Sequence, residues 1–128
     1  MSYFVTGATG FIGRFLVRKL CEREGTIYVL VRESSLSKID KLRSDCGVGE
    51  DKIVAVVGDL GEANLGVSDK QIAELKGDIK HFYHLGAIYD LKADAESQEV
   101  ANIEGTKNAI ALAEAVEAGC FHLASSIA

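Results

Sequence analysis

Short apolar runs alternate with amphipathic stretches along the whole chain. The runs cover residues 3–6, 26–31, 53–57, 79–85 and 120–124, and most of them are followed by glycine or by a turn-forming polar segment. Runs of four to eight residues that are rich in β-branched and aromatic side chains are typical of strands buried on both faces. The pattern therefore predicts five strands.

The stretches between these runs have helical periodicity. From Phe11 onward, Ile12, Phe15, Leu16 and Leu20 share one face of a predicted helix. Further helices are predicted at residues 34–46, 68–76 and 94–117. Serines at the start of the second helix and Gly47 after it are expected to cap it. The last helix carries a stripe of mostly small side chains, formed by Ala101, Gly105, Ala109, Leu112 and Val116. A regular alternation of strand and helix predicts an α/β fold, a doubly wound parallel sheet in the order 3-2-1-4-5 with helices on both faces.

Composition restricts the classes of function. The 128 residues are 48% apolar and 26% charged, which predicts a single globular domain spanning residues 1–128. The net charge is −5 and the basic residues are scattered, so nucleic acid is not an expected partner. The apolar runs are too short to cross a bilayer and no signal sequence precedes the first strand, so we expect a cytoplasmic protein. Cys21, Cys46 and Cys120 are an odd number without metal-ligand spacing, which predicts reduced thiols and no metal site.

A glycine-rich segment, residues 6–13, joins the first strand to the first helix. Here Gly7 permits a sharp turn, Gly10 lets the backbone approach a pyrophosphate, and Gly13 allows the helix to pack closely on the strand. The free N–H groups of the first helical turn attract a diphosphate, and Thr9 adds a hydroxyl donor. The alternative is that these glycines only form a tight turn and bind no ligand. The candidate cofactor contacts of this segment are Gly7, Thr9, Gly10, Phe11, Ile12 and Gly13.

The end of the second strand bears on the choice of dinucleotide. Sites that prefer NAD usually place a carboxylate at this strand tip, whereas this chain has Arg32 there. A guanidinium pairs with a 2′-phosphate through charged hydrogen bonds, each worth about 1.5–3 kcal/mol, which predicts a preference for NADP(H) of about ten- to a hundredfold. Glu33 follows directly and could take the carboxylate role instead, in favour of NAD(H).

The spacing Thr-Gly-x-x-Gly-x-x-Gly at residues 6–13 resembles the extended short-chain dehydrogenase/reductases. Segments 30–32, 58–60, 64–66 and 84–87 follow in the order found in that family. They are similar to the fatty acyl-CoA reductases and to the thioester reductase domains of carboxylic acid reductases and peptide synthetases. The resemblance covers nearly the whole chain and implies a Rossmann dinucleotide-binding domain.

The resemblance also implies roles for individual residues. Asp59 and Leu60 match the segment that contacts adenine after the third strand. Gly86 and Ala87 match the segment that lines the ribose and the nicotinamide after the fourth strand. Without the resemblance, Asp59 could equally be a simple loop cap.

Two candidate catalytic residues come from the same resemblance. Asn102 matches a helical asparagine that takes part in a proton relay, although an exposed polar residue of a helix is the plain alternative. Ser126 matches the serine that hydrogen-bonds the substrate carbonyl, and Ser125 replaces it if the register is off by one.

Members of this family also use a tyrosine and a lysine four residues later as proton donor and pKa-lowering partner. Tyr3, Tyr28, Tyr83 and Tyr89 are followed four residues on by other residue types. In the family the pair lies beyond the serine, and this sequence ends two residues past Ser126. We therefore expect the natural protein to continue. A chain ending here is expected to leave its fifth strand as a bare edge, which favours self-association.

Three functions remain open from the sequence. The first is the NADP(H)-binding portion of a reductase that transfers hydride between NADPH and an acyl thioester, an aldehyde or the corresponding alcohol. The second is a non-catalytic NADP(H) sensor that acts through a protein partner, and Asn102 and Ser126 argue against it. The third is an epimerase, dehydratase or hydroxysteroid-type dehydrogenase on the same fold, which Arg32 and residues 64–66 disfavour.

Overall fold

The computed structural model describes residues 2–7, 11–59, 62–85 and 95–123, with the backbone alone for 11–12, 63, 95–102 and 123. Within these ranges the chain forms five strands and four α-helices in strict alternation. They are β1 (Ser2–Thr6), α1 (Phe11–Leu20), β2 (Thr26–Val31), α2 (Leu36–Cys46), β3 (Ile53–Val57), α3 (Asp69–Leu75), β4 (Ile79–His84), α4 (Ala95–Ala115) and β5 (Cys120–Leu123).

All five strands pair in parallel, in the order β3-β2-β1-β4-β5. This confirms the predicted doubly wound sheet. The chain builds outward from β1 to β3 and then returns to place β4 on the other side of β1. In such sheets ligands bind outside the carboxyl ends of the strands, close to the point where the strand order reverses. The residues that follow β1, β2, β3 and β4 are therefore the candidates for ligand contacts.

The two faces of the sheet carry separate hydrophobic clusters. One cluster packs Val5 and Val29 of the sheet against Val17 of α1 and Ile39 of α2. The other packs the opposite face, including Phe4 and Phe82, against α3 and α4. Ala109, Leu112 and Val116 of the predicted small-residue stripe belong to this second cluster, and Gly105 is buried on the same helix. The side chain of Ala101 lies outside the described residues. Helices on both faces follow from strands that are apolar on both sides.

The start of α2 differs from the prediction. Ser34 and Ser35, expected as caps, belong to a short 3-10 turn, Glu33–Ser35, and α2 begins at Leu36. The Ser35 side chain makes no capping hydrogen bond, so it does not stabilise the first turn of α2. The end of α2 is as expected, because Gly47 adopts φ +68° and closes the helix in the left-handed conformation.

β3 and β5 form the two edges of the sheet over the described residues. The expected self-association through β5 stays a prediction. Among the described helices, none combines the length and the apolar character that a bilayer crossing requires.

Candidate functional site

The carboxyl end of β1 leads into the predicted diphosphate loop. Gly7 has φ +74°, a left-handed conformation that favours glycine, as the sharp turn requires. Gly13 is buried on α1, in agreement with close packing of this helix on the sheet. Thr9 and Gly10 lie outside the described residues, and the side chains of Phe11 and Ile12, at the start of α1, are also outside the description.

Arg32 and Asp59 meet across the carboxyl ends of β2 and β3. The Arg32 Nε and Asp59 Oδ2 atoms are 3.9 Å apart, and the two side chains are 61% and 44% exposed. An ion pair this exposed contributes about 0–1 kcal/mol to stability. Arg32 can therefore exchange its carboxylate partner for an anionic ligand at little cost in stability.

An open cleft of about 660 Å³ surrounds this ion pair. Its described lining consists of Arg32, Glu33, Ser34, Val57, Gly58, Asp59, Glu62 and Gly66. This described lining thus contains one cation and three carboxylates. Glu33 lines the same cleft as Arg32, so the two residues proposed for dinucleotide selection lie next to the same open space.

A strained turn presents Asp59 to the cleft. Asn64, Leu65 and Gly66 have φ values of 50°, 57° and 71°, all in the left-handed region. The Leu65 side chain is fully buried, and its carbonyl accepts a hydrogen bond of 2.8 Å from the Asp59 N–H. Burial of Leu65 and this hydrogen bond offset the strain and fix the direction in which the chain leaves β3.

Gly58 is the point of closest approach in this turn. A Cβ atom built on Gly58 would lie 2.1 Å from the Leu65 carbonyl oxygen and 2.7 Å from Leu30 Cδ1. Sequence reasoning identified Asp59 through the resemblance but gave Gly58 no packing role, because its constraint comes from residues seven and twenty-eight positions away. Leu60, also expected to contact adenine, lies outside the described residues.

A buried polar network joins β1, β4 and α4 near the reversal of strand order. His84 Nδ1 lies 2.7 Å from Thr6 Oγ1, and His84 Nε2 lies 3.4 Å from Thr106 Oγ1. Thr6 Oγ1 also accepts a hydrogen bond of 3.1 Å from the Leu85 N–H. This arrangement favours a neutral imidazole with its proton on Nε2, toward Thr106, because the Thr6 hydroxyl can then donate to Nδ1. His84 is thus a buried strand histidine with a partner at each ring nitrogen.

Burial lowers the pKa of His84 below its ordinary value of 6.5. The unfolded chain therefore takes up the proton at a higher pH than the folded chain does. The stability that neutral His84 contributes is fully present above pH 6.5 and is lost as the pH falls from there through the lower folded-state pKa. We expect urea midpoints to fall between pH 8 and pH 5 more steeply for the parent chain than for His84→Gln. Other titrating groups are common to both proteins and cancel in this comparison, so equal slopes would contradict the assignment.

The remaining predicted residues stay predictions. Asn102 lies within α4, but its side chain is outside the description. Gly86, Ala87, Ser125 and Ser126 lie outside the described residues.

One group of side chains was not anticipated from the sequence. His81 of β4 lies beside Cys120 and His122 of β5, and ligand atoms of all three lie within 4.8 Å of one another. The available signal was a Cys-x-His pair on one strand and a histidine on its neighbour. Linear metal-ligand spacing, which sequence reasoning sought, does not detect a group formed by strand register.

The fold and the site together define a dinucleotide-binding domain of the Rossmann type, with a left-handed glycine after β1 and charged side chains that line a cleft after β2 and β3. A family model described as "Male sterility protein", an NAD-binding family, matches residues 5–128. The chain belongs to this family, the NAD(P)-binding male sterility and thioester reductase group of the extended short-chain dehydrogenase/reductases.

Known proteins agree with this assignment. A Drosophila melanogaster protein described as a candidate fatty acyl-CoA reductase is 28% identical over 131 residues, which cover 89% of this chain and 25% of that protein. The terminal R domain of the myxalamid PKS-NRPS biosynthetic pathway is 34% identical with a TM-score of 0.77, and the match covers 98% of this chain and 34% of that one. The chain therefore spans about a quarter to a third of these relatives.

A third protein has the same fold at a lower sequence identity. Gre2 from Candida albicans, solved in complex with NADPH, superimposes with a TM-score of 0.78 at 24% identity. The match covers 98% of this chain and 37% of that one.

Proposed function

We propose that this chain is the NADP(H)-binding portion of a reductase that transfers hydride between NADPH and an acyl thioester or aldehyde. The observation that carries the proposal is Arg32 at the tip of β2, exposed above the cleft and held by a weak ion pair with Asp59. Membership of the family and the NADPH complex of the structurally similar Gre2 support it.

Arg32 selects the dinucleotide in this proposal. In the absence of ligand, Asp59 keeps the guanidinium over the cleft, and a 2′-phosphate then replaces this carboxylate as its partner. The phosphate brings more negative charge than the carboxylate and accepts a forked pair of hydrogen bonds. Glu33 and Glu62 line the same cleft and oppose a second anion, so the preference depends on Arg32.

The other proposed cofactor contacts lie after different strands, and each set would bind a different part of the dinucleotide. Gly7 and the N–H groups of the first turn of α1 would hold the diphosphate, Asp59 and Leu60 would contact adenine, and Gly86 and Ala87 would line the nicotinamide side. The bound cofactor supplies the hydride.

Two residues of this chain would act on the substrate. Ser126 would hydrogen-bond the carbonyl that receives the hydride, and Asn102 would hold a proton-relay water or side chain in place. Activity is assigned to the whole protein and not to these 128 residues, because no tyrosine in them has a lysine four residues later.

Dinucleotide titration of single variants tests the proposal. We expect Arg32→Ala to raise the Kd for NADPH about ten- to a hundredfold, through loss of charged hydrogen bonds, while the Kd for NADH changes less than about threefold. Isothermal titration with both dinucleotides measures this. Arg18→Ala removes an exposed arginine of α1, outside the described cleft lining, and controls for the change in net charge.

Glu33→Gln tests the alternative that this carboxylate selects NAD(H). If Glu33 holds a ribose hydroxyl in an NAD(H) site, this variant weakens NADH binding and Arg32→Ala leaves the ratio of the two affinities unchanged. That outcome would overturn the NADP(H) proposal.

A further inference from the structure

The histidine–cysteine cluster (His81, Cys120 and His122) lies on one face of the sheet, on the neighbouring strands β4 and β5. His81 and Cys120 are direct partners in the parallel pairing of these strands. His122 follows two residues after Cys120, so the strand period of two returns it to the same face. Cys120 and His122 are exposed and His81 is half-buried, so solvent reaches the cluster over the described part of the chain.

The possible ligand atoms lie close to one another. His81 Nδ1 and His122 Nε2 are 3.1 Å apart, and one nitrogen of each ring and Cys120 Sγ form a group whose members all lie within 4.8 Å of one another. A tetrahedral zinc ion with Zn–N near 2.05 Å and Zn–S near 2.3 Å needs its nitrogens about 3.3 Å apart and its nitrogen–sulfur pairs about 3.6 Å apart. The nitrogen separation of 3.1 Å is close to the first of these distances, and binding would bring Cys120 Sγ to the second.

Neighbouring rings hold the two imidazoles in place. Tyr83 stacks on His122 with ring centroids 4.6 Å apart, and Tyr3 stacks on His81 at 5.9 Å. Side chains that are already ordered lose less conformational entropy when they bind. Both imidazoles are therefore held by ring contacts before a ligand binds.

We propose that His81, Cys120 and His122 form a binding site for one divalent transition-metal ion of the zinc type, with solvent completing the coordination. Two imidazoles and a thiolate suit borderline-soft ions such as Zn²⁺ and Co²⁺, whereas Mg²⁺ and Ca²⁺ prefer oxygen ligands. Binding releases the thiol proton of Cys120 to solvent, because the thiolate is the ligand.

The principal competitor within the chain is the thiol pair Cys21 and Cys46. Burial, together with the neighbouring Cys46, raises the pKa of Cys21 to about 11. A thiol with so high a pKa is a poor source of thiolate at neutral pH. The histidines of the chain lie on β4 and β5, whereas these thiols lie at the ends of α1 and α2.

A hydrogen bond between His81 and His122 is the other reading of the same geometry. It accounts for the 3.1 Å separation of the two nitrogens but gives Cys120 no part. Metal titration distinguishes the two readings, since the hydrogen-bonded pair predicts no binding that depends on Cys120.

Cobalt absorption tests the proposal on the 128-residue chain. After chelator treatment, one equivalent of Co²⁺ is expected to give the visible bands of tetrahedral cobalt and a near-ultraviolet thiolate-to-cobalt band, and Zn²⁺ is expected to displace both. Cys120→Ser should remove the thiolate band and weaken Co²⁺ binding at least about tenfold. His122→Gln should weaken binding by a similar factor. Cys46→Ser is the matched control, with cobalt spectra like those of the parent chain.

Three results would overturn the proposal. They are the absence of stoichiometric Co²⁺ binding, retention of the thiolate band in Cys120→Ser, and its loss in Cys46→Ser. Far-ultraviolet circular dichroism verifies that each variant is folded. A melting temperature that rises with Zn²⁺ in the parent chain and not in Cys120→Ser gives an independent readout.

Discussion

Phe82→Ala is expected to lower the free energy of unfolding by about 3–5 kcal/mol, the usual cost of deleting a fully buried aromatic ring. Phe82 is fully buried on β4 and stacks between Phe4 and Phe121, with ring centroids 4.8 Å and 5.4 Å away. The strands on both sides are held by their ladders, so the cavity cannot close. The loss is a large part of the roughly 5–15 kcal/mol that typically stabilises a domain.

Urea denaturation followed by circular dichroism measures this loss. The matched control is Phe15→Ala on α1, because the Phe15 side chain is 53% exposed and its removal leaves no cavity in the core. We expect the control to cost less than about 1 kcal/mol. Similar losses for the two variants would show that the second hydrophobic cluster does not dominate stability.

Gly58→Ala is expected to cost about 3 kcal/mol and to weaken dinucleotide binding in the same protein. The new Cβ would overlap the Leu65 carbonyl oxygen, a backbone atom that cannot rotate away, so the turn that presents Asp59 must move. Since Asp59 orients Arg32, displacement of this turn should raise the Kd for NADPH as well as reduce stability.

Gly77→Ala separates the two effects of the Gly58 change. Gly77 has φ +81°, and a Cβ atom added to it would meet nothing within 4 Å. Alanine there therefore costs about 1–2 kcal/mol through backbone strain alone. Its NADPH affinity should match that of the parent chain. If Gly58→Ala also kept the parent affinity, the turn after β3 would have no part in the cofactor site.

Strands were the most predictable part of this fold. The bounds of β2 and β3 match the apolar runs at 26–31 and 53–57, because buried parallel strands admit few polar residues. The start of α2 was predicted less well, because the expected serine cap makes no side-chain hydrogen bond and the residues before Leu36 form a 3-10 turn that has no distinct sequence signature. The order of the sheet followed from the alternation of elements, which leaves few possible topologies.

The site was predictable where one residue carries the chemistry and not where two distant residues share it. Arg32 could be proposed from its position at a strand tip, and Asp59 from a resemblance. The ion pair between them could not be predicted, since it depends on how β2 and β3 align. The pairing of His84 with Thr6 and the cluster around Cys120 likewise depend on strand register, which short sequence motifs do not record.

The central position of β1 also affects how the chain folds as it is made. The bond between Thr6 and His84 joins positions 78 residues apart, a span that a ribosome takes about 4–16 s to synthesise at about 5–20 residues per second. During those seconds β1 lacks its β4 partner, and Phe4 lacks the ring of Phe82. Contacts between such distant positions also slow folding itself. The nascent chain therefore exposes an apolar strand edge until β4 emerges, and such an edge favours aggregation during synthesis.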